Sequence, residues 1–276
     1  MVSRIISQGI SPGLGQPVIV ENHGGGVISP ELVAKAPPDG YTLLSYGNTF
    51  WLMPLMRSKM SYDVQKDFVP ITVAVKTPLV LLVHPSMPVK TVKDLIALAK
   101  AKPKDLNYSS AAIGTSSHLG TEMFKYMAHV NLLRIGYKGH ASALNALVSG
   151  DTHLMFANVG PAMVQVKAGR VRGIAVSSPQ PSPLAPGLPT LAASGVPGYD
   201  AMQLSGLFAP ARTPDAIVSR LNREIAQVFT RPDVKEKLMN AGLEPMAGTP
   251  EESAGTIRSE IARYAKVVKA ANIRDE

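Results

Sequence analysis

Asn107-Tyr-Ser-Ser-Ala-Ala-Ile-Gly-Thr-Ser-Ser-His-Leu-Gly-Thr-Glu-Met-Phe124 changes its structural period partway through. A strand ends near Ser110, a loop of small and hydroxyl-bearing residues follows, and a helix opens near Ser116 or Ser117. Leu119, Met123 and Met127 then recur at helical spacing on one face. Strand, loop and helix in that order are the repeating part of an α/β fold. A helix that begins among glycine and hydroxyls leaves backbone N–H groups at its positive end, which suits an anion such as a carboxylate. The stretch by itself fits an ordinary capping turn equally well.

Working outward, the same alternation continues in both directions. Strands are expected at Val18–Val20, Tyr41–Tyr46, Ile71–Val75, Leu79–Val83, Leu106–Ser109, Leu132–Ile135, Thr152–Phe156, Val171–Val176 and Leu207–Ala209. Lys76-Thr77-Pro78 is read as the break between the third and fourth. These runs are continuously apolar, the pattern of sheets covered on both faces. Thr91 reads as the cap of a helix carrying Val92, Leu95, Ile96 and Ala99 on one side. Thr213-Pro214 reads as an N-cap with proline at the first helical position. Thr249-Pro250-Glu251-Glu252 reads as a capping box. The stretch from Ser177 to Pro197 carries six prolines and is expected to be a surface excursion with one short helix around Thr190 to Ser194.

Composition narrows the function. The chain has 276 residues, enough for two compact lobes. It has no cysteine, which removes disulfides, thiolate metal sites and a cysteine nucleophile together. The net charge of +8 is spread along the chain and aromatic residues are 5% of it, so the interleaved basic and aromatic stripe of a nucleic-acid binder is missing. A positive field of this kind steers anions. The longest apolar run, Leu79 to Val83, is far short of a membrane span.

Candidate chemistry is sparse. Tyr46-Gly47-Asn48-Thr49 and Phe156-Ala157-Asn158 each follow a strand, where ligands of open α/β sheets sit. Tyr137-Lys138-Gly139 is a similar strand-to-helix turn. Gly24-Gly25-Gly26 lacks the further glycine of a dinucleotide fingerprint, since Ser29 stands there, and is read as a connection. None of the six histidines pairs at i, i+4 with another, so neither metal nor cofactor is expected. Gly114-Thr-Ser-Ser-His118 departs from a nucleophile elbow because His118 replaces the last glycine.

Taken in order, a set of segments resembles the Bug family, the receptors of tripartite tricarboxylate transporters. They include Leu14-Gly-Gln-Pro-Val-Ile-Val-Glu-Asn22, Val33-Ala-Lys-Ala-Pro-Pro-Asp-Gly-Tyr-Thr-Leu-Leu44, Asn107 to Phe124, Tyr137-Lys-Gly139, Leu154-Met-Phe-Ala-Asn158, Gly206-Leu-Phe-Ala-Pro210 and Gly248-Thr-Pro-Glu251. The resemblance implies a two-lobed type II periplasmic-binding-protein fold, each lobe a mostly parallel sheet flanked by helices, with the ligand cleft between them. Residues 1–102 and 204–276 would form the first lobe and 103–203 the second. The implied ligand is a small organic carboxylate. Ser110, Gly114, Thr115, Ser116 and His118 would meet it from the second lobe, and Gly47, Asn48 and Thr49 from the first. Tyr137, Ala157 and Asn158 would line the wall. Many relatives carry an acid where Ala157 stands, so no ligand ammonium group is expected.

The implied partners are the membrane permease subunits of the transporter, the implied state is a monomer, and no catalysis is expected. Family members begin with an export signal, a first strand and a loop bearing an aspartate. Here Met1 stands within what reads as the following helix, Val2 to Ile10, and the first lobe is expected to be N-terminally incomplete. The resemblance implies a periplasmic location; the absence of a visible signal peptide implies a cytoplasmic one for the sequence as written. Two other readings fit parts of the pattern: a serine hydrolase-like α/β enzyme using Ser116 or Ser117, and a sensor module for a signalling partner.

Overall fold

The computed structural model describes residues 1–24 and 26–275. Its elements are α1 (Val2–Leu14), α2 (Ile28–Ala34), β1 (Leu44–Gly47), α3 (Thr49–Leu52), β2 (Phe68–Val83), α4 (Val92–Ala101), β3 (Asn107–Ser110), α5 (Ser116–Ala128), β4 (Leu133–Gly136), α6 (His140–Ser149), β5 (Leu154–Asn158), α7 (Val159–Lys167), β6 (Arg172–Val176), β7 (Met202–Pro210), α8 (Asp215–Thr230), α9 (Pro232–Asn240), β8 (Glu244–Pro245) and α10 (Pro250–Ala270). The chain divides into two compact units, Met1–Lys76 with Leu204–Ala262, and Thr77–Gln203 with Arg263–Glu276. The boundary expected near residue 102 falls inside the second unit. That unit starts at Thr77 because the second half of β2 pairs with β5 and β6. The end of α10 joins it too, where Arg263 pairs with Asp200. The glycine run read as a connection includes Gly25, which lies outside the described residues.

In the first unit, β1 runs antiparallel to β7, β7 lies beside β2, and β2 runs antiparallel to β8. The β1–β7 and β2–β8 pairs are antiparallel, where a mostly parallel sheet was expected. β2 and β7 are single strands continuous through both units. The core is built on α8, whose Val218, Leu221, Ile225 and Val228 form one buried stripe against Ile6 and Ile10 of α1 and Ile71 and Val75 of β2. Gly9 is required at the α1–α8 contact, because a β-carbon there would come within 2.5 Å of Val228. In a second cluster Phe50 stacks on Tyr62 and meets Phe68 and Phe208 edge-on, and the buried Trp51 donates its indole N–H to Glu260 Oε2 at 2.9 Å.

In the second unit the strand order is β4-β3-β5-β2-β6. β3 is parallel to β4 and β5, and β2 is antiparallel to both β5 and β6. Leu144, Leu147, Ala162 and Val171 cover Val80, Leu82 and Met155. Elsewhere in the unit Phe124 of α5 packs on Phe156, which also meets Tyr199.

Several local expectations change. β2 is one strand of 16 residues, not two. Pro78 lacks a donor and would interrupt a ladder, but it sits where the partner changes: Lys76 pairs with Glu244, and Leu79 with Asn158. Val18–Val20 forms no strand, and the Val18 N–H is used by Ser11 Oγ at 3.0 Å. Thr190 to Ser194 makes turns and not a helix, with Thr190 bridging Val176. The proline-rich stretch is anchored, since Ala185, Leu191 and Val196 are buried. Thr213 does not cap α8; its hydroxyl donates to Pro210 O at 2.7 Å.

Candidate functional site

The loop between β3 and α5 is shaped by its own polar groups. Gly114 sits at φ +79°, a conformation that costs glycine nothing, and its N–H donates to His118 Nδ1 at 3.2 Å. Ser117 Oγ accepts the Ala111 N–H at 3.1 Å. Thr115 occupies the N-cap position in extended backbone, but its hydroxyl donates to Ala112 O at 2.7 Å and is used there. No side chain therefore caps α5, and the first helical bond is that from the Leu119 N–H to Thr115 O. The N–H groups of Ser116, Ser117 and His118 belong to the first turn, which has no intrahelical acceptor. An uncapped first turn with the positive helix end behind it accepts a carboxylate oxygen directly.

Three strand ends meet at this edge of the second unit. β3, β4 and β5 run parallel, so Ser110, Gly136 and Asn158 close them on the same side. Ser110 and Gly136 are register partners, and the Tyr137 N–H extends the ladder by donating to Ser110 O at 2.9 Å. Asn158 stands at the N-cap of α7, and its buried Oδ1 has no hydrogen-bond partner among the described residues. Ala157 is buried in the apolar cluster with Val80 and Val159, and Tyr137 packs on the same cluster. Of the residues proposed from sequence, the structure thus brings Ser110, Gly114, Thr115, Ser116, His118, Tyr137, Ala157 and Asn158 into one unit.

Arg134 was not singled out by the sequence reading. It lies on β4, and its guanidinium donates from Nε to Ser110 Oγ at 2.8 Å and from Nη2 to Ala111 O at 2.7 Å. An available signal was the cation Arg134 inside the otherwise apolar run expected as a strand. His118 is buried, and its imidazole is pushed down to about 3 by desolvation first, then by the charges of Arg134 and Lys125. With Nδ1 accepting from Gly114, the neutral ring carries its proton on Nε2 and can donate from there. Behind them, Tyr108 donates its hydroxyl to Glu122 Oε1 at 2.6 Å, and Lys125 Nζ pairs with the same oxygen at 2.7 Å.

Gly47, Asn48 and Thr49 lie in the first unit. Gly47 ends β1, opposite Ser205. Asn48 is buried and its N–H donates to Leu204 O at 2.9 Å. Thr49 opens α3, which is only one turn long. The candidate serines are engaged elsewhere: Ser116 Oγ faces Gln203 Oε1 at 3.5 Å, and Ser117 Oγ is shared between the Ala111 N–H and Thr115 Oγ1. Among the described residues no hydrogen bond joins either hydroxyl to His118, and no three His, Asp or Glu side chains gather as a metal site.

Residues 2–273 match the family model described as the tripartite tricarboxylate transporter family receptor. The sequence is 32% identical to Protein BugT of Bordetella pertussis over 98% of this chain and 84% of BugT. Among solved structures, the chain is similar to R. palustris Rpa4515 with adipate, at TM-score 0.87 and 36% identity, covering 99% of this chain and 93% of that one. It is also similar to MatC of Rhodopseudomonas palustris with bound malate, at TM-score 0.81 and 29% identity, covering 97% of this chain and 93% of MatC.

Proposed function

This chain belongs to the tripartite tricarboxylate transporter receptor family, and from that premise we propose that it captures a small organic carboxylate at the N-terminal end of α5 and hands it to the membrane permease subunits of such a transporter. The observation that carries the reading is the uncapped first turn of α5, set at the carboxyl edge of parallel β3, β4 and β5. One carboxylate oxygen is held by first-turn amides, with Ser110, Gly114, Thr115, Ser116 and the Nε2–H of neutral His118 as its polar surroundings. Tyr137, Ala157 and Asn158 border it. Gly47, Asn48 and Thr49 are assigned to ligand contact on the family resemblance.

Adipate and malate, the acids named with two of the similar structures, set the first ligand class to try. Ala157 offers no charge to an ammonium group, so acids without an amine are preferred over amino acids. On the family resemblance the protein is assigned to the periplasm, as a monomer. Among the described residues no helix is long and apolar enough to cross a membrane. Its family is one of receptors, so binding and not catalysis is the role assigned to it; among the described residues neither Ser116 nor Ser117 has a base hydrogen-bonded to it.

A thermal-shift panel of dicarboxylates, tricarboxylates and amino acids tests the proposal. A ligand at 100 times its dissociation constant adds about 2.7 kcal/mol, a rise of several degrees for a chain of this size. Silence across the whole panel sinks the carboxylate reading. Hydrolysis of a simple ester that disappears in Ser116→Ala would instead establish an enzyme.

A further inference from the structure

Resting on that carboxylate site, we propose that Arg134 is its positioning residue: the guanidinium holds the β3–α5 loop in the shape that presents the α5 amides, and position 136 is glycine to leave it room. Arg134 sits on β4, opposite Tyr108 of β3, and belongs to a different strand from the loop it touches. Arg134 is only half-buried on a strand at the end of the sheet order, so its side chain had solvent within reach. It turns inward instead. Nε donates to Ser110 Oγ, the last side chain of β3, and Nη2 donates to Ala111 O, the first carbonyl of the loop. Ser110 Oγ in turn donates to the same Ala111 O at 3.1 Å, which closes a small ring of three groups. Ala111 is also where the helix reaches back, through its N–H to Ser117 Oγ. One residue is therefore held from β4 on its carbonyl and from α5 on its amide.

Only a planar fork with two donors in fixed relation spans both acceptors; a lysine ammonium supplies the charge but not the fork. The space for it is provided at Gly136. A β-carbon there would lie 3.1 Å from Nη2, 3.2 Å from Nη1 and 3.3 Å from Cζ of Arg134. The glycine is exposed and its φ is not in the left-handed region, so neither core packing nor backbone strain explains it. The guanidinium does.

The experiment compares Arg134→Gln, Arg134→Lys and Gly136→Ala with the unaltered chain. It uses calorimetric affinities for adipate and malate, and NMR titration of the His118 imidazole. Arg134→Gln should weaken a bound acid at least about tenfold, the loss of a charge-assisted pair of hydrogen bonds. Arg134→Lys should also weaken it, because the fork is gone. Gly136→Ala, an exposed position that should fold normally, should weaken it by crowding the guanidinium. His118 separates positioning from general damage: its protonation midpoint should rise in Arg134→Gln, where the neighbouring charge is removed, and stay low in Arg134→Lys.

Binding by Arg134→Gln within about twofold of the unaltered chain overturns the proposal and leaves the carboxylate reading standing. If the unaltered chain binds no acid, the carboxylate reading fails first. An unmoved His118 midpoint in Arg134→Gln then overturns the placement of Arg134 as well.

Discussion

His118 is kept neutral by its surroundings well below the pH at which a free imidazole takes a proton. Burial, Arg134 on β4 and Lys125 on its own helix all disfavour the cation, while the Gly114 N–H requires a lone pair on Nδ1. The unfolded chain, with an ordinary histidine near 6.5, therefore binds a proton that the folded chain refuses down to about 3. Folded stability contributed by this residue is complete above about pH 6.5 and declines as pH falls from there towards 3, by at most about 1.4 kcal/mol per pH unit. His118→Gln should flatten that decline in urea titrations at stepped pH; equal slopes for both proteins would show that another group is responsible. His118 was visible in the sequence as a residue of the first helical turn, four positions from Gly114. Arg134 was not, because its importance comes from the register of β3 on β4, which joins residues 24 positions apart. Asn158 was legible as a residue after a strand, whereas its unpartnered Oδ1 depends on how the whole edge is assembled.

Helix starts were the most legible elements, since their chemistry lies within four residues. The cap read at Thr91 is present, and the structure completes it into a box: the Asp94 N–H donates to Thr91 Oγ1 at 3.1 Å and the Thr91 N–H donates to Asp94 Oδ2 at 2.9 Å. Thr249 and Glu252 make the same exchange at 3.2 and 2.8 Å. Thr91→Ala should cost about 1 kcal/mol by urea unfolding, since Thr91 is exposed and loses little else. A loss below about 0.3 kcal/mol would mean that the box contributes nothing beyond solvent. Thr213 shows the limit of the rule: the same Thr-Pro signal precedes α8, but the Pro210 carbonyl takes its hydroxyl first. Strand boundaries were less legible for a similar reason. Lys76-Thr77-Pro78 has the composition of a break, and only the change of partner at that point lets one strand run through it.

At the scale of the whole molecule, β2, β7 and α10 each begin in one unit and end in the other. Because these three elements are continuous across the boundary, the chain should unfold in a single transition. Trp51, the one tryptophan, is buried in the first unit and reports on it alone, whereas far-UV circular dichroism reports on both. The two signals should give one urea midpoint; fluorescence that changes well before or after the dichroism would show that the units melt separately. The sequence by itself determined the α/β class, the periodic elements, the capping boxes and the position of the α5 first turn, because each follows from residues within a turn or two of one another. Tertiary structure alone decided which strands pair, where the units divide, and that Arg134 reaches Ser110 and Ala111 at the start of the loop before α5. Those features depend on register and on hydrogen bonds between residues far apart in the chain, and local preference does not encode them.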